Sequence, residues 1–266
     1  KYFLNGEEKE SNTTGEYTFG GLTAGTKYTI KVEVKDKVGN VGEATQEVTT
    51  SRAVISTSTN YVGYYANLDE DPEPEGIIYA DQATGKKGKG TGLGESYSIS
   101  IKSSGLKSYY VSQTGYSGTF GTKDVLTAIE GSGTVDRFYV MALEDIDAGR
   151  HMWCANVTMG EVTSTGFGTG KANTAAVMAE YTGDFWGQIK NQVSQGWFVP
   201  STKEWVAFAG ELGITSENYE NLGLTGYYWS SSQRDIDKAW AAQFYLNGIY
   251  SYDLIDSECV RLSATF

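Results

Sequence analysis

The sequence predicts an α+β protein, with two helices packed on small antiparallel sheets, preceded by a partial all-β module. Three observations carry that expectation. The chain holds 33 Gly, only 3 Pro and 13% aromatic residues, the composition of many short strands joined by turns. Over residues 17–50 apolar and polar positions alternate through Tyr17, Phe19, Tyr28, Ile30, Val32 and Val34, a period of two that marks half-buried strands. Helical signals are confined to two places. The better marked opens on Ser201-Thr202-Lys203-Glu204, a capping box in which Ser accepts from the amide three residues on and Glu reaches back.

With 266 residues and 39% hydrophobic content, the chain is long enough for one sizeable domain and a small one. The net charge of −12, with Lys and Arg scattered, argues against nucleic acid, which needs a basic face, and against anionic membranes. No apolar run approaches the ~20 residues of a membrane span. The longest is Phe138–Leu143, so no direct membrane insertion is expected. The start, KYFLNGEEKE, is not a signal peptide, and an export signal is expected upstream. Two cysteines, Cys154 and Cys259, and one histidine, His151, are too few for a usual zinc site. One disulfide is open to them in an exported protein. The spacing of His151 and Cys154 permits a nucleophile and a base, but the flanking GRHMWCANV has no catalytic frame. A structural role is expected for both, with no catalytic residue, no cofactor and no metal.

The elements follow in order. Residues 1–52 hold the series Leu22-x-x-Gly25-x-x-Tyr28-x-Ile30-x-Val32. It resembles the C-terminal half of a fibronectin type III or related Ig-like domain. Tyr28 falls at that family's tyrosine-corner position, and Ala24 stands where the family often has Pro. The resemblance implies a spacer, shorter than the ~100 residues such a domain needs, ending in a linker at Thr49–Arg52. From residue 53, Tyr61–Ala66 and Ile77–Ala80 read as strands. Between them Asp69, Asp71, Glu73 and Glu75 alternate like calcium ligands. An EF-hand would have Gly where Pro74 stands and Glu where Ala80 stands, so a solvated acidic turn is expected. Gly85–Gly94 reads as a flexible surface loop, since it lacks the order of a P-loop. Tyr97–Ile101, Tyr109–Ser112, Val125–Ile129 and the apolar run at 138–143 add strands or buried segments. A first helix starts at Asn173, with Ala175, Val177, Met178 and Tyr181 on one face. It is interrupted at Gly183 and resumes through Phe185, Trp186, Ile189 and Val193. The second buries Trp205, Phe208, Ala209 and Leu212, and Gly213 ends it.

A set of motifs then falls in a fixed order: Trp197-Phe198-Val199-Pro200-Ser201-x-x-Glu204-Trp205, Tyr228-Trp229-Ser230-Ser231-Ser232, Ala239-Trp240-x-Ala242-x-Phe244 and Val260-Arg261-Leu262. With Gly76–Ala83, Asp136–Asp147 and the closing VRLSATF, they resemble C-type lectin-like domains of the formylglycine-generating-enzyme type. More narrowly, they resemble the variable proteins of diversity-generating retroelements. The resemblance covers roughly residues 60–266. It implies a C-type lectin-like fold over 53–266 and a variable region at about 227–266. It also implies a fixed scaffold whose C-terminal repeat is rewritten at AAY codons by an error-prone reverse transcriptase.

The genetic code offers a check. Randomised AAY codons become NNY, which cannot encode Lys, Gln, Glu, Met or Trp. Those five types are absent from the fourteen residues of Phe244–Ser257, whereas in Trp197–Trp229 they fill eight of thirty-three positions. The resemblance therefore implies variable, ligand-contacting residues at Arg234, Asp235, Ile236, Asp237, Ala241, Tyr245, Leu246, Asn247, Ile249, Tyr250, Tyr252, Asp253, Leu254, Ile255, Asp256 and Cys259. Lys238, Trp240, Gln243 and Glu258 cannot be such products. Strand alternation places Trp240, Ala242 and Phe244 on the core side and Ala241, Gln243 and Tyr245 on the other. Trp229, Trp240, Phe244, Val260 and Leu262 are the expected scaffold. Cys259 is read as an outcome of codon scrambling rather than half of a disulfide.

Four functions are weighed at this point. The favoured one is a non-catalytic, hypervariable binding protein for a protein or cell-surface receptor, extracellular on a bacterial surface or a phage virion. The alternative is a calcium-independent glycan-binding adhesin, because aromatic side chains can stack on sugars. A calcium-dependent sugar site of the lectin kind would need Glu-Pro-Asn or Gln-Pro-Asp with Trp-Asn-Asp, and none occurs. An oxidase of the formylglycine-generating kind would need cysteines at a copper site, and neither Cys154 nor Cys259 stands in such a context.

Overall fold

Alternation in the first fifty residues builds one antiparallel sheet. In the computed structural model, which describes residues 1–69, 71, 73–128, 133–155 and 163–266, the first strands are β1 (Tyr2–Leu4), β2 (Glu7–Glu10), β3 (Lys27–Lys35) and β4 (Val41–Thr49). They pair in the order β2-β1-β3-β4. β3 and β4 run opposite each other from Lys27↔Thr49 to Lys35↔Val41. The Tyr28 hydroxyl accepts from the Thr23 amide at 3.0 Å, bracing the turn before β3. This unit, Lys1–Val54, is a single sheet rather than the two packed sheets of an Ig-like sandwich.

The second unit is Ile55–Phe266. It continues with β5 (Tyr65–Asn67), β6 (Gly76–Asp81), β7 (Lys86–Lys89), β8 (Ser96–Ile99), β9 (Tyr109–Gly118), β10 (Gly121–Ala128), β11 (Phe138–Ala142) and β12 (His151–Met152). Four helices follow: α1 (Gly170–Glu180), α2 (Asp184–Gln188), α3 (Lys190–Ser194) and α4 (Thr202–Glu211). The chain ends with β13 (Tyr227–Gln233), β14 (Lys238–Gln243), β15 (Gly248–Asp253), β16 (Ser257–Glu258) and β17 (Ser263–Thr265). Six strands form a sheet in the order β17-β11-β6-β5-β10-β9, antiparallel except for the parallel pair β10 and β5. The last hairpins form a three-stranded sheet, β13-β14-β15.

Both faces of the six-stranded sheet are buried along β5, β6 and β11, while most of the edge strand β9 is exposed, and strand alternation divides the buried side chains between two cores. Tyr65, Ile77, Tyr79, Val125 and Met141 pack with Trp205 and Phe208 of α4 and with Tyr228 and Phe244. Ala66, Ile78, Leu126 and Val140 point the other way, to Tyr109, Phe138 and Phe266. Continuous apolar runs such as Ile77–Ala80 suit a strand covered on both sides. A third core joins Val177 of α1 and Phe185 and Trp186 of α2 to Trp153, Trp229, Ala239, Ala241 and Leu254.

α4 starts on the expected capping box: the Ser201 amide donates to Glu204 Oε2 at 2.6 Å and the Glu204 amide to Ser201 Oγ at 3.4 Å. It stops at Gly213, whose φ of 64° lets the Ile214 amide return to Ala209 O at 2.8 Å.

The α+β expectation, with its C-type lectin-like fold of two helices on small sheets, is overturned. Strand residues make up 38% of the structure and helical residues 13%, so the fold is β-rich with several sheets. The reason is length. After the expected break at Gly183, where Asp184 takes a φ of 48°, the helical segment resumes only as the five-residue α2 and α3, so strands outweigh helices. The glycine-rich Gly85–Gly94 also departs from expectation, because β7 pairs with β8 and Leu93 is buried. A Cβ on Gly90 would sit 2.7 Å from Val206 O of α4, so glycine serves close approach here rather than flexibility. Of the expected elements, Ile129 and the acidic-turn residues Glu70 and Pro72 lie outside the described residues.

Candidate functional site

The predicted contact residues are carried by one hairpin and its flanking turns. β14 pairs with β15 from Lys238↔Asp253 to Gln243↔Gly248. Six residues of strand put the two ends about 20 Å apart. The residues therefore fall into two groups rather than one patch.

At one end, Phe244 anchors the turn. It is fully buried, with its ring 6.1 Å from Trp205 and 6.2 Å from Tyr219. Asn247 takes a φ of 52°, a left-handed position that Asn tolerates better than most residues. Its Nδ2 donates to Ser216 Oγ at 3.0 Å. Over this rigid base Tyr245, Leu246 and Tyr250 are 61%, 45% and 42% exposed. The Tyr250 hydroxyl donates to Leu246 O at 3.3 Å, and the Tyr245 ring lies 6.5 Å from that of Tyr227. Exposed large apolar side chains gathered on a fixed turn are the composition of interface hot spots.

The opposite end is charged. Arg234, Asp235, Ile236 and Asp237 turn from β13 into β14, and Leu254, Ile255 and Asp256 follow β15. The Leu254 amide donates to Asp237 O at 2.9 Å, which ties the two turns together. Ile236 and Ile255 are 55% and 49% exposed among Asp235, Asp237, Asp253 and Asp256. Lys238 pairs with Asp253. Asp237 is pushed up and Asp235 held down by a side-chain hydrogen bond between them. Arg234 donates to Ser251 Oγ at 2.8 Å and lies 5.8 Å over the Trp240 ring.

Three predicted contact residues are corrected to core. Ala241 is fully buried against Trp229 and Trp153, because the face opposite Ala242 is covered too. Leu254 is 1% exposed in the same cluster. Cys259 is 5% exposed in the core beneath Tyr228. None can meet a ligand while the chain is folded. Trp240, expected inside, is half-buried beneath Arg234. Ile249 and Tyr252 are half-buried, packed on the two cores respectively.

Other residues around the aromatic end were not on the predicted list. Gln243 is fully buried, and its amide has the Tyr252 hydroxyl as a neighbour without a hydrogen bond of good geometry among the described residues. Glu258 is 5% exposed, and burial pushes its carboxyl up to about 7 against the pull of the Arg150 guanidinium, 3.5 Å away. Arg150 also lies 5.1 Å over the Tyr227 ring. Gln243 and Glu258 escape the codon test because they are non-variable types. The signal available in sequence was a pair of polar side chains inside an otherwise apolar frame.

His151 bonds Asp147 at 2.9 Å, while Cys154 is buried among tryptophans. The two cysteines form no disulfide with each other and lie in separate cores. A cleft of about 260 Å³ is lined by Lys102, Lys171 and Asp136, with Asp136 engaged by Lys107 at 2.5 Å and Thr265 at 2.6 Å. Among the described residues no helix is long and apolar enough to cross a membrane. No family model, curated protein or solved structure matches the chain.

Proposed function

We propose that this chain is a non-catalytic, hypervariable ligand-binding protein, diversified by a retroelement and displayed on a bacterial surface or a phage virion. The observation that carries the reading is a coincidence of position. The stretch free of Lys, Gln, Glu, Met and Trp, Phe244–Ser257, is also where Tyr245, Leu246, Tyr250 and Ile255 stand exposed. Interiors are tightly packed and punish random replacement, so a diversified segment belongs where side chains face solvent. The anchors Phe244, Tyr228 and Trp229 are fully buried and can hold the hairpin while its tip varies. A protein or cell-surface receptor is the expected ligand, since Tyr supplies contact area at low rotamer cost.

The test is binding of the fluorescently labelled chain to a panel of intact bacteria, beside a Tyr245→Ser/Tyr250→Ser variant. Staining of particular strains that the variant loses supports the reading. No staining of any strain, or equal staining by both chains, contradicts it. The half-exposed ring of Tyr227 beside Tyr245 favours one further reading, a calcium-independent glycan ligand. A glycan array run with and without EDTA separates the two.

A further inference from the structure

The connection between β5 and β6 gathers three carboxylates around one point. One oxygen each of Asp69, Asp71 and Glu75 lies within 4.8 Å of the others. Two oxygens bound to one Ca²⁺ at 2.3–2.6 Å stand at most about 5 Å apart, so all three can reach a shared ion. Among the described residues no Lys or Arg pairs with any of them. Three like charges this close repel one another unless a cation joins them.

A neighbouring side chain gives an independent sign. Asn67, at the end of β5, is 8% exposed. Its Nδ2 donates to the Asp71 carbonyl, which holds the amide against the acidic loop. Its Oδ1 has no donor among the described residues. Flipping the amide would set Oδ1 against the Asp71 carbonyl, two acceptors face to face. A buried oxygen without a donor is unusual, and a cation is the partner that such an oxygen can take.

The carboxylates are also oriented. Asp69 Oδ1 accepts from the Asp71 amide at 2.9 Å, Asp71 Oδ1 from the Glu73 amide at 2.8 Å, and Glu75 Oε2 from the Leu68 amide at 2.5 Å. Asp69 and Glu75 also share a side-chain hydrogen bond, which a cation between them would replace. Asn67 Oδ1 beside the loop would add a fourth oxygen, and water would complete the six to eight that Ca²⁺ takes.

We propose that Asn67, Asp69, Asp71 and Glu75 form a Ca²⁺ site that pins the connection between β5 and β6. An irregular set of oxygens with three negative charges suits Ca²⁺ better than Mg²⁺, which demands a tight octahedron. The spacing fails the EF-hand pattern because one ligand comes from the preceding strand rather than from a Glu at the twelfth loop position. Glu73 on the same loop accepts from the Tyr116 hydroxyl of β9 at 2.7 Å, so an ordered loop would also tie down the sheet edge.

The test is calorimetric titration of the EDTA-treated full chain with CaCl₂ and separately with MgCl₂, beside thermal unfolding in both salts. One Ca²⁺ site is expected, with an affinity near the 10⁻⁴–10⁻³ M of extracellular modules, roughly, and a raised Tm. Asp71→Asn keeps the acceptor for the Glu73 amide and so preserves the turn. It should weaken Ca²⁺ binding by roughly tenfold or more, while the Tm in EDTA holds or rises as the repulsion is relieved. Absence of heat and Tm shift at about 10 mM Ca²⁺, an equal response to Mg²⁺, or undiminished binding by Asp71→Asn would each overturn the assignment.

Discussion

Ala241 and Tyr245 lie four positions apart and satisfy the same codon test, yet the fold treats them oppositely. Ala241 is fully buried in the core that holds Trp153 and Trp229, while Tyr245 is 61% exposed. Replacing Ala241 by Leu should cost about 1–3 kcal/mol through overpacking. Replacing Tyr245 by Ser should stay within about 0.5 kcal/mol. Denaturant unfolding of both variants measures the contrast. Leu254 and Cys259 belong with Ala241, and Cys259 in addition should remain a thiol. Mass spectrometry of the folded chain without reductant should show no bridge between Cys154 and Cys259. Codon arithmetic marks positions where variation is permitted chemically. Only three-dimensional packing shows where it is permitted structurally, and that is why these residues were misplaced from sequence.

At the scale of elements, what was legible was local. The capping box of α4 and its glycine stop are written in adjacent residues, and both form as the residue types require. The hairpin frame, from Tyr228-Trp229 to Val260-Arg261-Leu262, is likewise buried. The interruption at Gly183 was legible too, since α1 ends at Glu180 and α2 opens at Asp184; the further division into α2 and α3 was not. The second face of β14 was not legible either: alternation separates two faces but does not say that both are covered.

One element makes a pH prediction. Burial pushes the Glu204 carboxyl up to about 7, and Glu258 on β16 behaves likewise. Both then hold a proton in the folded chain at pH values where the unfolded chain, near 4.5, has lost it. Stability from these groups is full below about pH 4.5 and declines as pH rises through 7. Asp136 and Asp147 are held below their usual range and titrate outside this window. Thermal unfolding should therefore show Tm falling between pH 5 and 8, and Glu204→Gln, which keeps an acceptor for the Ser201 amide, should flatten part of that slope.

At the scale of the whole molecule, the division at Val54 and Ile55 separates a single sheet from a unit with three cores. The larger unit should fold alone. Residues 55–266 should unfold cooperatively with a Tm within a few degrees of the full chain, since the six-stranded sheet and its cores are complete within it. A broad or absent transition would show that the first unit is needed for folding. The overall class is less legible than the single elements: two helices announce themselves in adjacent residues, whereas many short strands depend on partners distant in the chain.

The central claim is that the hairpin tip is varied on purpose over a fixed base. Sequencing the locus and its neighbourhood across many isolates tests it most directly. A reverse-transcriptase gene and a near-copy of codons 227–266 with adenines at the variable positions should lie nearby, and substitutions should concentrate at the exposed residues within 234–237, 245–250 and 253–256. Ala241, Leu254 and Cys259 should stay fixed with Phe244 and Trp229. Absence of the template and the reverse transcriptase, or substitutions spread evenly between core and surface, would contradict it.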